Sequence, residues 1–95
     1  MRTRLHRAFV IDVKRQVLWL HANARKHDVD GLRRDIADAR HLLAATPLVG
    51  RIEMHAGDGT IRKLLLRRLP FVLWYRVGRD EVWLLRLFHF RQHRA

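Results

Sequence analysis

The chain has 95 residues, enough for one small domain with a modest core, and its 48% hydrophobic content excludes a disordered chain. Its 31% charged residues and the lack of any apolar run near the roughly 20 residues of a spanning helix argue against a membrane protein. Twenty basic residues against nine acidic give +11, and with no cysteine there is no disulfide framework, which fits a cytosolic protein.

The charge is uneven. Residues 1–58 hold eleven basic and seven acidic groups (+4), and residues 59–95 hold nine and two (+7). Seventeen of the twenty basic residues are arginine, whose planar fork of donors suits phosphate and carboxylate. A small domain with this balance expects a polyanion, either nucleic acid or an acidic partner protein.

In chain order, Met1–Phe9 is basic then apolar, but Asp12 and Lys14 interrupt the apolar part too early for a signal peptide. Leu5, Ala8 and Phe9 suit either a short edge strand or a lead-in to the first helix. From Val10 the pattern turns helical. Val10, Val13, Val17, Leu20 and Ala24 form one stripe, with Asp12, Arg15, Gln16 and Asn23 on other faces and Trp19 largely off it. Trp19 reads as a rim residue or a partner contact. The helix is expected to end near Lys26, where Arg25-Lys26-His27 complement the negative end of its dipole.

Asp28-Val29-Asp30-Gly31 is the expected connection, with either aspartate as a cap. Val29, Leu32, Ile36, Ala39 and Leu43 then mark a second helix up to Thr46-Pro47. Two narrow stripes joined by a short loop make a helix hairpin that must lie on something apolar. Residues 51–60 hold two glycines and read as a loop.

The stretch 61–94 holds three apolar runs cut by arginines and separated at Leu69-Pro70-Phe71 and Val77–Glu81. Runs of seven to ten β-branched, aromatic and leucine-rich residues predict a three-stranded antiparallel meander. Along the last strand Val82, Leu84, Arg86, Phe88 and Phe90 point one way, and Trp83, Leu85, Leu87, His89 and Arg91 the other. Both faces are apolar, so one needs a cover besides the helices. The predicted class is α+β, a single domain over 1–95 with an N-terminal helix hairpin packed on a small antiparallel sheet.

The chemistry narrows by elimination. Seven histidines invite a metal, but His89-x-x-x-His93 falls on a strand end and tail, with no cysteine or carboxylate cluster to complete a site. No metal or cofactor is expected. Without serine or cysteine the usual nucleophiles are absent, and Gly57-Asp58-Gly59-Thr60 lacks a phosphate loop's lysine and spacing. What remains is acid–base or electrostatic chemistry on a phosphodiester. Arg62, Lys63, Arg67, Arg68, Arg76, Arg86, His89 and Arg91 are expected on one sheet, with Tyr75 and His89 as proton carriers. No carboxylate is evidently paired with them, and binding is preferred to catalysis.

The order of elements resembles the RelE/ParE toxin superfamily of type II toxin–antitoxin pairs, closest to ParE-like toxins. The resemblance rests on Thr46-Pro47-Leu48-Val49-Gly50-Arg51, Ile61-Arg62-Lys63-Leu64, Leu73-Trp74-Tyr75-Arg76-Val77 and Leu84 through Arg91, and spans residues 10–94. It implies a short first strand, the helix hairpin, an antiparallel sheet, and a cognate antitoxin with an acidic C-terminal part. It implies DNA gyrase inhibition, with no catalytic residues, in the cytoplasm. The alternative is RelE-like messenger-RNA cleavage on the ribosome, with Arg62, Arg76 and His89 as catalytic candidates. The tyrosine common near the C-terminus of RNA-cleaving members is missing, because Phe88 and Phe90 flank His89. Arg67, Arg68, Tyr75, Arg76, Arg86, His89 and Arg91 are the expected target or antitoxin contacts.

Overall fold

The computed structural model describes residues 1–57 and 59–93, the last two by backbone alone. Strand β1 (Arg2–Leu5) leads into helix α1 (Arg7–Ala22) and helix α2 (Lys26–Ala45). Strands β2 (Arg51–Ala56), β3 (Gly59–Leu65), β4 (Phe71–Val77) and β5 (Glu81–His89) follow, and a single helical turn, α3 (Phe90–His93), ends the described chain. The sheet has five strands in the order β1-β5-β4-β3-β2. β2 to β5 form an antiparallel meander, and β1 adds to β5 in parallel. The α+β class, the hairpin and the short first strand stand as expected.

The helix boundary differs from the expectation. The break falls at residues 23–25, and Asp28–Gly31 lie inside α2. Ala24 adopts a left-handed backbone (φ 55°), which ends α1 abruptly. Asp28 then sits in the first turn of α2, where its carboxylate takes the Arg25 side chain at 2.7 Å and suits the positive end of the dipole. α1 also begins earlier, at Arg7, with the His6 imidazole Nδ1 accepting from the Ala8 N–H at 3.1 Å.

Residues 51–56 form an edge strand, where a loop was expected. Their register shifts between Ile52 and Met54, a bulge that turns the strand locally and leaves both side chains exposed. The burial signal of a strand is therefore faint there. β3 stops at Leu65, earlier than expected, so Arg67 and Arg68 ride on the β3–β4 turn instead of the sheet. Arg91 lies in α3, past the strand it was assigned to.

The alternation along β5 also changes midway. Tyr75 faces Leu84 while Trp74 faces Arg86, so Leu85 is an extra residue. Beyond it the phase reverses. Leu87 joins Val82 and Leu84 on the buried face, and Arg86 and Phe88 share the opposite face with Trp74. The core is Phe9, Leu20, Val29, Leu32, Ala39 and Leu43 of the helices against Phe71, Leu73, Tyr75, Val82, Leu84 and Leu87 of the sheet. The other face of the sheet has the fully buried Val72 near the end of β4 where α3 lies. It carries Ile61, Lys63, Trp74, Arg76, Trp83 and Phe88, all half-buried by one another.

Candidate functional site

Three of the singled-out arginines are tied into the frame by groups the sequence did not pair with them. Arg86 donates through Nε and Nη2 to the two oxygens of Asp12, at 2.7 and 3.1 Å, and the Leu87 N–H donates to the same carboxylate at 2.9 Å. β1 pairs with β5 only as far as Leu84, and the His6 N–H takes the Leu84 carbonyl before α1 begins. Asp12, in the second turn of α1, thus satisfies the β5 edge where a longer β1 would have done so. Its carboxylate holds the Arg86 guanidinium more firmly protonated than usual.

Arg68 is held by Asp35 at 3.0 Å and Asp38 at 2.8 Å. The buried Asp35 carboxylate also accepts the backbone N–H groups of Arg68 and Leu69, which fixes the β3–β4 turn against α2. These bonds raise the Arg68 pKa, and the Arg68 bond lowers that of Asp38. Arg67, next to it, is exposed.

Arg62 turns inward at the other end of the sheet. Its Nη1 donates to the carbonyls of Gly50 at 2.8 Å and Leu48 at 3.3 Å. Tyr75, paired with Arg62 across the sheet, is fully buried and its hydroxyl accepts the Gly50 N–H at 2.8 Å. Burial pushes the Tyr75 phenol pKa up, against smaller opposite pulls from that N–H and from Arg62. The segment Pro47–Gly50 is so close that a Cβ on Gly50 would lie 2.6 Å from the Lys63 carbonyl and from the Tyr75 hydroxyl. Glycine is required there by space.

Arg76 faces the open side of the sheet, across from Ile61 and Trp83, with its guanidinium lying over Gly59, where a Cβ would overlap it. Arg62 and Arg76 therefore point to opposite faces. His89 pairs with Phe71, five positions along β4 from Arg76, a span of roughly 17 Å at strand rise. Its ring meets Phe71 edge-on at 5.5 Å, and its Nδ1 accepts the Arg91 N–H at 3.2 Å. Arg62, Arg76 and His89 are not brought to one point.

What the fold does bring together is a cleft of about 610 Å³ at the end of the sheet, lined by Gln16, Trp19, Arg25, Pro70, His89, Phe90 and Arg91. Gln16, Arg25 and Pro70 carried no signal toward it, because their partners are distant in sequence. A second groove, about 400 Å³, runs between the helices over Val13, Val17, Leu18 and Leu32, with Lys14 and Arg33 at its rim. Among the described residues no three His, Asp or Glu side chains cluster as metal ligands. The His93 side chain and Asp58 lie outside the described residues. No helix among the described residues is long and apolar enough to cross a membrane.

No family model matches the chain, and neither does any curated protein sequence. A solved structure does. A chain of the chromosomal ParDE TA system from P. aeruginosa superposes with a TM-score of 0.74 at 21% identity, over 94% of this chain and 95% of that one. The two chains share one fold along nearly their whole length.

Proposed function

We propose that this chain is the toxin of a type II toxin–antitoxin pair. In this reading it inhibits DNA gyrase by surface contact in the cytoplasm and is neutralised by a cognate antitoxin. The observation that carries the reading is the whole-length likeness to a ParDE chain, joined to the spread of the candidate catalytic groups. A phosphodiester cut without metal needs a base, an acid and a cation around one phosphate. Here Tyr75 is buried, Arg62 holds backbone carbonyls, and His89 lies a sheet-length from Arg76. Those positions suit a rigid frame that presents basic and aromatic surface.

The net charge of +11 and the sheet face opposite the helices, with half-buried Trp74, Trp83 and Phe88 among basic residues, favour an acidic, amphipathic partner. Controlled expression in a bacterial host tests the reading. Growth arrest with chromosomal DNA breaks and intact messenger RNA is expected, and Arg76→Ala and His89→Ala variants that leave messenger RNA intact should not differ in that respect from the parent. Messenger RNA cut in the parent and spared in those variants would replace gyrase contact with RelE-like cleavage.

A further inference from the structure

The helix hairpin spends its acidic side chains on the frame and keeps its basic ones outside. Of the five carboxylates between Arg7 and Ala45, Asp12 is held by Arg86, Asp28 by Arg25, and Asp35 and Asp38 by Arg68, which leaves Asp30. Among the described residues no carboxylate forms an ion pair with Arg7, Lys14, Lys26, Arg33 or Arg40, and all five are exposed. Arg40 gives its Nε to the Thr3 hydroxyl at 2.8 Å, a neutral partner that leaves the charge uncompensated.

These cations are regularly spaced. Arg7, Lys14 and His21 follow one another at sevens along α1, and Lys26, Arg33 and Arg40 do so along α2. Seven residues make nearly two turns, a rise of about 10.5 Å with a drift of about 20°, so each trio keeps to one side of its helix. The helices fold back on each other at residues 23–25, and Lys14 and Arg33 line the same groove between them. They form one rung of a basic ladder. Counting outward from it, Arg7 and Arg40 belong to the rung beside β1, where Arg40 meets Thr3, and His21 and Lys26 to the rung beside the turn. Asp30 lies one turn from Lys26 and weakens that last rung.

The ladder favours one kind of polyanion. No tryptophan, tyrosine or phenylalanine stands in it, because Phe9 is buried and Trp19 lines the cleft at the end of the sheet. Unpaired bases need aromatic platforms to stack on, and protein partners favour aromatic anchors. Phosphates of a paired duplex need cations alone. A rung spacing of about 10.5 Å is close to three rises of about 3.4 Å along one strand of B-DNA.

We infer that the outer side of the helix hairpin seats duplex DNA, with Arg7, Lys14, Arg33 and Arg40 on backbone phosphates and no base read. The inference rests on the gyrase reading in taking DNA, instead of RNA, as the duplex.

The probe is a fluorescent DNA duplex of mixed sequence, about 20 base pairs long, titrated with the full chain and followed by anisotropy across a salt series. Four phosphate contacts should give a log–log salt slope of about −3.6. At about 0.1 M salt, where charges more than about 10 Å away are screened, Lys14→Glu with Arg33→Glu should weaken binding tenfold or more. Arg51→Glu with Arg79→Glu makes the same change in net charge at exposed sites off the hairpin, and should stay within about threefold of the parent. Each variant is first checked for a folded spectrum. Equal losses in the two double variants, or no salt-dependent binding by the parent, would overturn the inference. So would tighter binding of a single strand or of an RNA duplex of the same sequence. Gyrase inhibition measured on the same samples keeps the claims apart. A parent that holds the duplex through Lys14 and Arg33 but leaves gyrase untouched refutes the gyrase reading alone, and one that inhibits gyrase without holding the duplex refutes this inference alone.

Discussion

Tyr75 is the one tyrosine of the chain, and its place under the Pro47–Gly50 segment gives it a structural task. Removing its hydroxyl in Tyr75→Phe strands the buried Gly50 N–H, at a cost of about 1–3 kcal/mol in chemical denaturation. Burial raises its pKa above the ordinary value near 10, so the folded state favours the neutral phenol. The stabilisation is complete below the unfolded pKa and is lost as pH rises through the folded one. Ultraviolet titration of the folded chain should therefore place the phenolate midpoint above that of the denatured chain. Equal midpoints would contradict the burial. The arginines follow a similar rule. Arg62, Arg68 and Arg86 were attractive as phosphate ligands by type and number, yet their nearest anions and carbonyls belong to the chain itself. Asp12 lies 74 residues from Arg86, and Asp35 lies 33 from Arg68, so no local spacing announces either pair.

At the level of elements, the turn between α1 and α2 relies on Ala24 in the left-handed region, which glycine occupies without steric cost. Ala24→Gly should stabilise the fold by roughly 0.5–1 kcal/mol, read as a higher midpoint of thermal unfolding. A loss would show that the turn is held by other means. Asp12 joins α1 to β5 through three hydrogen bonds, and Asp12→Ala should cost about 2–3 kcal/mol, because it strands the Leu87 N–H and leaves Arg86 without its carboxylate. The stripe of α2 was legible in sequence because Val29, Leu32, Ala39 and Leu43 repeat at helical spacing and are buried at it, whereas in α1 only Leu20 of the expected stripe is buried, Ala24 lies in the turn, and Phe9 and Asp12 take the inner face. The strand β2 was not, since a bulge and an exposed edge remove the pattern that burial imposes. Asp28-Val29-Asp30-Gly31 looked like a loop by composition, but buried Val29 and the Arg25–Asp28 pair hold it helical.

For the whole molecule, the sheet has helices on one face and basic-aromatic surface on the other, and its last strand ends at a cleft with aromatic walls. That both faces of the sheet carry apolar side chains was readable from residues 61–91. The cleft was not, because it assembles α1, two turns and α3, whose contacts arise only on folding. In the proposed reading the molecule acts by what it contacts, with its arginines shared between frame and surface. The most direct measurement is of purified DNA gyrase, assayed for supercoiling and for cleaved DNA complexes as this protein is added. Supercoiling should fall and gyrase–DNA breaks should accumulate as protein is added. Unaltered gyrase, alongside messenger RNA cut on translating ribosomes by the same preparation, would contradict the account and return Arg62, Arg76 and His89 to catalytic roles.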